Sequence, residues 1–238
     1  MLRQKSVGAE QKMRVAVLFS GGKDSLYTVQ KLREVGHDVK LLLTLKPGSA
    51  ESLLFHYPCV EWTSLQAEAM GIPISAFNVE AGREEDELRE CIAEIRIQHG
   101  VDGVAAGAVA SQYQKRRIED MADRLGLRCL TPLWGMDQMR LLREEVESGL
   151  EAVVVAVAAL GLDQRWLGRT LDRDAIEELG RLRDRYGLNP SGEGGEYETF
   201  VVDSNMFKKR IVVSDLLRVW RGDRGHLELV KAELVEKG

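Results

Sequence analysis

Apolar positions follow two different periods along the first half of the chain. Val15-Ala16-Val17-Leu18-Phe19 is a near-continuous apolar run, and the segment after it places Leu26, Val29, Leu32 and Val35 on one helical stripe. A second run covers 39–45. A loop through Pro47, Gly48 and Pro58 then leads to a predicted helix near 61–70, stopped by Gly71. Residues 73–79 read as a third strand. Leu88, Cys91, Ile92 and Ile95 form a clear helical face behind an acidic start at 84–87, which suits the positive end of the helix dipole. Residues 101–106 read as a buried fourth strand ending at Gly107. Ile118, Met121, Ala122 and Leu125 make another stripe, stopped by Gly126, and 127–130 is the fifth strand. Apolar strands alternating with helices predict an α/β fold, a doubly wound parallel sheet covered on both faces. Ligands of such sheets sit at the carboxyl ends of the strands.

The pattern changes after Pro132. A helix is predicted over 137–149, a strand over 151–157, and a helix over 174–186 with Ile176, Leu179 and Leu182 inward. Short strands at 200–202, 210–213, 217–220 and 227–230 follow without intervening helices, which predicts a smaller mixed or antiparallel C-terminal subdomain. The expected division is therefore a flexible extension at 1–12, an α/β domain at 13–132 and an α+β subdomain at 133–238. Residues 1–12 lack a signal-peptide core, and the apolar run 152–160 is too short to span a bilayer. A soluble cytoplasmic protein with no membrane partner is expected. The formal net charge of −5 argues against broad nucleic-acid binding. Three cysteines, odd in number and far apart, suit reduced buried thiols, and His37, His56, His99 and His226 are too scattered to form a metal cluster.

Three polar stretches interrupt this framework. Ser20-Gly21-Gly22-Lys23-Asp24-Ser25 joins the first strand to its helix. Two glycines let a backbone approach an anion, the first helical turn points N–H groups at it, and Lys23 adds a positive charge. The spacing is not that of a Walker A loop. Residues 189–199 place Glu193, Glu196 and Glu198 among Gly192, Gly194 and Gly195, beside Tyr197 and Thr199; these carboxylates suit a cation, a proton or Mg²⁺. After the fourth strand, Gly107 and Ala108 permit close approach of a ligand. Gln114, Lys115, Arg116 and Arg117 then put donors near a helix start, where the dipole disfavours cations unless an anion or partner is present.

The hexapeptide resembles the PP-loop of the N-type ATP pyrophosphatases. Taken with Phe55-His56, the 107–119 segment with Ser111, Tyr113, Gln114 and Arg117, the Pro132-Leu133-Trp134 tripeptide and the run 193–199, the chain resembles the diphthine–ammonia ligase family in its short archaeal form. The resemblance covers nearly everything from residue 14 onward. It implies ATP-dependent conversion of diphthine on elongation factor 2 to diphthamide with ammonium, by adenylation of a carboxylate and release of pyrophosphate and AMP. It implies ATP binding by Ser20, Gly21, Gly22, Lys23, Asp24, Ser25, Gly107 and Ala108. Lys23, Asp24, Glu196 and Glu198 are then the candidate catalytic residues. His56, Tyr113, Gln114, Arg117, Glu193, Gly194, Gly195, Glu196, Tyr197 and Thr199 are candidates for substrate binding. Mg²⁺ is expected with ATP, and a homodimer suits a compact enzyme of this size.

Two positions depart from the family pattern. Cys59 stands where asparagine is expected, which puts a polar role there in doubt, and Gln112 stands where an acidic residue is common. Rival readings are a PP-loop enzyme acting on tRNA or on a small-molecule carboxylate, and a non-catalytic nucleotide-binding regulator. The cysteines offer no obvious sulfur-relay pair, no segment is long enough for a glutaminase domain, and a mere sensor has little use for three clustered carboxylates.

Overall fold

The computed structural model describes residues 12–47, 59–80 and 83–238. His56 and all but the last residue of the expected N-terminal extension lie outside the described residues. Five parallel strands, β1 (Arg14–Leu18), β2 (Asp38–Pro47), β3 (Ile74–Val79), β4 (Gly103–Ala105) and β5 (Arg128–Leu130), form a sheet in the order β3-β2-β1-β4-β5. Side chains alternate across a strand, so Val15 and Val17 face α1 (Lys23–Glu34) and α2 (Thr63–Met70), packing with Leu26, Val29, Leu32, Ala67 and Met70. Ala16 faces the other way. With Leu41 and Leu43 it lies under α3 (Glu84–His99) and α4 (Gln112–Arg124), which contribute Leu88, Ile92, Ile95, Ile118 and Met121. The doubly wound α/β arrangement is thus observed. Val35, read as part of the first stripe, is instead the C-cap of α1 and is exposed, because the helix ends before that position turns inward.

The chain steps outward from β1 to β2 and β3, then returns to place β4 on the other side of β1. This makes a topological switch point at the carboxyl ends of β1 and β4. Beyond β5 come α5 (Gln138–Glu147), β6 (Glu151–Val157), α6 (Arg173–Tyr186), β7 (Tyr197–Asp203), β8 (Lys209–Arg221) and β9 (Arg224–Glu236). The four strands form an antiparallel sheet in the order β7-β6-β9-β8. The two strands predicted at 210–213 and 217–220 are one continuous strand. Register shifts around Asp215 absorb the polar Ser214-Asp215 pair that broke the apolar pattern. The last part of the acidic stretch, Tyr197 to Thr199, is already strand β7 rather than loop.

Leu26, Leu142, Val154, Trp166 and Phe200 belong to one buried cluster, so the α1 side of the parallel sheet and the antiparallel sheet share a core. That sharing brings β7 against the start of α1. No described helix is long and apolar enough to cross a membrane.

Candidate active site

The turn after β1 is held from behind and from above. Gly21 lies in the left-handed region at φ 83°, where a glycine avoids the strain of a Cβ. Its carbonyl accepts hydrogen bonds from Val201 N at 3.1 Å and from the amide Nε2 of Gln66 at 2.8 Å, and the same Nε2 donates to Val201 O at 2.8 Å. Gln66 is fully buried, so one side chain of α2 fastens the turn to β7. Gly22 is the N-cap of α1 without a side-chain cap, and a Cβ there would stand 3.2 Å from Thr199 O. The Thr199 hydroxyl accepts from Lys23 N at 3.1 Å, whereas Asp24 N and Ser25 N, in the first turn of α1, have no intrahelical acceptor. Ser20 Oγ donates to Ser25 Oγ at 3.3 Å and Ser25 Oγ to Gly22 O at 2.9 Å, keeping both hydroxyls at the turn. This set of donors can take the oxygens of an anion.

Lys23 is 2% exposed. Its ammonium lies 2.8 Å from Asp24 Oδ1 and 3.4 Å from Glu145 Oε2. Burial disfavours the charge, but Asp24 and Glu145 outweigh it and hold Lys23 protonated, above its ordinary range. Burial likewise pushes the Glu145 carboxyl well up, opposed by Lys23. Glu145 had no place in the sequence-based site. Its signal was a charged residue on the apolar stripe of α5 that carries Met139, Leu142 and Val146.

Gly107 packs on the same turn, since a Cβ there would meet Asp24 C and O at 2.9 Å. Its smallness therefore serves the approach of β4 to α1, besides any ligand. Beyond it, Val109 N and Ala110 N both donate to Glu193 Oε1, the latter at 3.1 Å, so the acidic stretch is tied across to the loop after β4. Burial raises the Glu193 carboxyl, and the Val109 and Ala110 donors oppose that. Glu196 turns away from the cleft, accepting from Asn189 N at 3.2 Å and Gly194 N at 2.8 Å, and so organises its own loop. The Tyr197 hydroxyl donates to Pro190 O at 2.7 Å.

A cleft of about 540 Å³ opens between these pieces, within the range of small-molecule sites. Ser20, Gly22, Lys23, Asp24, Ser25, Gly107 and Ala108 line it, as do Tyr113, Gln114, Glu193, Gly194, Gly195, Tyr197, Glu198 and Thr199. Leu43, Leu45 and Ile118 give it an apolar end. Gly21, Arg117 and Glu196 are not on its surface. Arg117 pairs with Glu85 and stacks 4.6 Å from the centroid of the half-exposed Tyr113, which stands at the lip. Ser111 and Ser191 also line the cleft, and Ser111 caps α4 by accepting from Gln114 N at 3.3 Å. Cys59 is buried at a left-handed φ of 69°, and burial pushes its thiol up to about 12, far from a reactive thiolate. Among the described residues no three metal-ligating side chains converge. A Mg²⁺ ion here would depend on phosphate oxygens and water rather than on a protein cage.

The family models described as Diphthamide synthase N-terminal domain and Diphthamide synthase C-terminal domain match residues 13–129 and 137–235. The human diphthine–ammonia ligase is 38% identical over 222 residues, covering 84% of this chain and 83% of its own. The zebrafish (Danio rerio) diphthine–ammonia ligase is 36% identical over 221 residues, covering 84% and 86%. The Schizosaccharomyces pombe enzyme of that name is 37% identical over 221 aligned positions, covering 85% of this chain but 36% of the yeast protein. A U34-tRNA thiolase from Methanococcus maripaludis overlays with a TM-score of 0.40 at 13% identity, covering 81% of this chain and 74% of its own, too slight a likeness to bear on function. Both halves of the chain match, and more than a third of the aligned residues are shared with proteins of nearly its own span: the chain belongs to the diphthamide synthase family, whose relatives here are ligases that form a carbon–nitrogen bond.

Proposed function

We propose that this protein uses ATP and ammonium to convert diphthine on elongation factor 2 into diphthamide, through an acyl-adenylate, releasing pyrophosphate and then AMP. The observation that carries the reading is the closure of one cleft by two loops: Thr199 on Lys23 N, and Glu193 on Val109 N and Ala110 N. An anion-binding turn and a carboxylate-rich loop thereby share a single space.

The substrate carboxylate is a poor electrophile until its oxygen attacks the α-phosphorus of ATP and pyrophosphate departs. The N–H donors at the start of α1 face the charge that grows on that leaving group, and the Lys23 ammonium, once drawn from its carboxylate partners, adds a full positive charge to them. The apolar end at Leu43, Leu45 and Ile118 suits a base ring. Ammonium must lose a proton before its nitrogen attacks the acyl carbon and AMP leaves. Glu193 and Glu198 line the cleft, and burial raises the Glu193 carboxyl, which suits it to take that proton. Tyr113 and Gln114 at the lip are placed to meet a side chain presented by a protein.

The test is incubation with diphthine-bearing elongation factor, ATP and ammonium, followed by mass spectrometry of the factor and nucleotide analysis. Carboxylate-to-amide conversion with AMP and pyrophosphate is expected. ADP and phosphate instead, or no turnover on authentic substrate, would overturn the proposal.

A narrower expectation concerns Glu196. Glu196→Ala removes two charge-assisted hydrogen bonds to loop backbone and should loosen the loop locally by about 1–3 kcal/mol. Amide formation should fall steeply while ATP binding stays near wild type, as read by titration calorimetry beside the mass assay. An unchanged amide yield would show that this anchoring of the loop is dispensable.

A further inference from the structure

Glu145 is a buried carboxylate with unusually little support. It is 1% exposed, and neither of its oxygens makes a well-formed hydrogen bond among the described residues. Lys23 is its ion-pair partner there, at 3.4 Å, and the Asp24 side chain also acts on it. It occupies a position on the apolar stripe of α5 that a leucine or methionine would fill without the desolvation penalty of a charge. The helix is fixed in place independently, by its packing on α1 and by the Tyr27 hydroxyl, which donates to Glu144 Oε2 at 3.1 Å. Helix docking therefore does not require a carboxylate at 145. What the carboxylate touches is the ammonium that the phosphate-binding turn supplies.

Lys23 is thus shared between two carboxylates, one on its own turn and one from α5. Held by both side chains, the ammonium is drawn into the protein rather than toward the cleft. An arriving phosphate chain must compete for it. A departing one leaves as the carboxylate takes the ammonium back.

We propose that Glu145 is a positioning residue that acts through Lys23, holding its ammonium withdrawn and so loosening the grip of the site on pyrophosphate. The inference rests on the ATP-pyrophosphatase reading above and adds to it a residue that sets product release. Each turnover in that reading must discharge pyrophosphate, so a site that bound this product tightly would slow the cycle after adenylation.

The experiment is calorimetric titration of the full chain with pyrophosphate and with ATP. It compares wild type, Glu145→Gln, Glu145→Leu, Lys23→Ala and the Lys23→Ala/Glu145→Gln double variant. Glu145→Gln keeps the shape and removes the charge; Glu145→Leu guards against an idiosyncrasy of the amide. Each should bind pyrophosphate about tenfold more tightly than wild type, about 1.4 kcal/mol. The gain should vanish in the Lys23→Ala background. A purely structural role would shift the melting temperature in both backgrounds without this dependence on Lys23. If wild type binds ATP and pyrophosphate but neither single variant at 145 tightens pyrophosphate, the role of Glu145 is overturned and the ATP reading stands. The same holds if the gain persists in the Lys23→Ala background. If wild type binds neither ligand, the ATP reading falls and the role of Glu145 falls with it.

Discussion

Lys23→Ala should lower pyrophosphate release under saturating substrates by about two to three orders of magnitude, the scale on which removal of one preorganised charge-stabilising donor acts. The side chain is protonated because Asp24 and Glu145 outweigh the burial that opposes its charge. It is therefore a permanent cation at the turn rather than one that titrates near neutrality. The substitution also leaves Glu145 buried without its ion-pair partner among the described residues. A loss of about 3 kcal/mol in unfolding free energy should follow. Glu145→Leu, made in the same chain, should restore much of that stability without restoring turnover. Denaturant unfolding and a pyrophosphate-release assay on both variants separate the two effects. Turnover within a few-fold of wild type in Lys23→Ala would contradict the role given to the lysine.

Gly21→Ala should be the most damaging single methyl group in the site. The residue sits at φ 83°, which adds about 1 kcal/mol for any side chain. Its Cβ would stand 2.5 Å from Gln66 Oε1 and 3.0 Å from Thr63 Cγ2. A flexible amide could ordinarily step aside. Gln66 cannot do so freely, because its Nε2 donates at 2.8 Å both to Gly21 O and to Val201 O in a fully buried position. Displacing it leaves at least one buried carbonyl unpaired, so the total should reach about 3 kcal/mol. The turn would separate from β7, and with it the Thr199 contact to Lys23 N. The Michaelis constant for ATP should rise more than tenfold. Unfolding free energy and ATP kinetics near wild type would show that the Gln66 clamp is dispensable.

Much of the framework was legible because its causes are local. The period of the apolar residues marked β1 and α1, the face of α3 and the stripe of α4, and Gly71 and Gly126 stopped their helices as read. Local signals also failed in recognisable ways. Val35 matched the helical period but fell at the cap, where the period no longer decides exposure. Ser214 and Asp215 looked like a turn between two strands. A bulge carried the strand through them, because pairing with β9 continues on both sides.

By itself the sequence determined the doubly wound α/β half, the strand-rich C-terminal half and the three polar stretches able to hold an anion or a cation. Those properties depend on the order of residues within a dozen positions. Only the tertiary structure decided what each carboxylate meets. Glu196 turns back onto Asn189 N and Gly194 N, Glu193 bridges to the loop after β4, and Glu145 reaches Lys23 from α5. Glu193 and Glu196 have alike neighbours in one glycine-rich run, and nothing local separates those two, while the apolar stripe around Glu145 says nothing of Lys23. What separates them is the shared core that seats β7 and α5 on α1, and a carboxylate takes its chemistry from the donors and cations that such packing brings within reach.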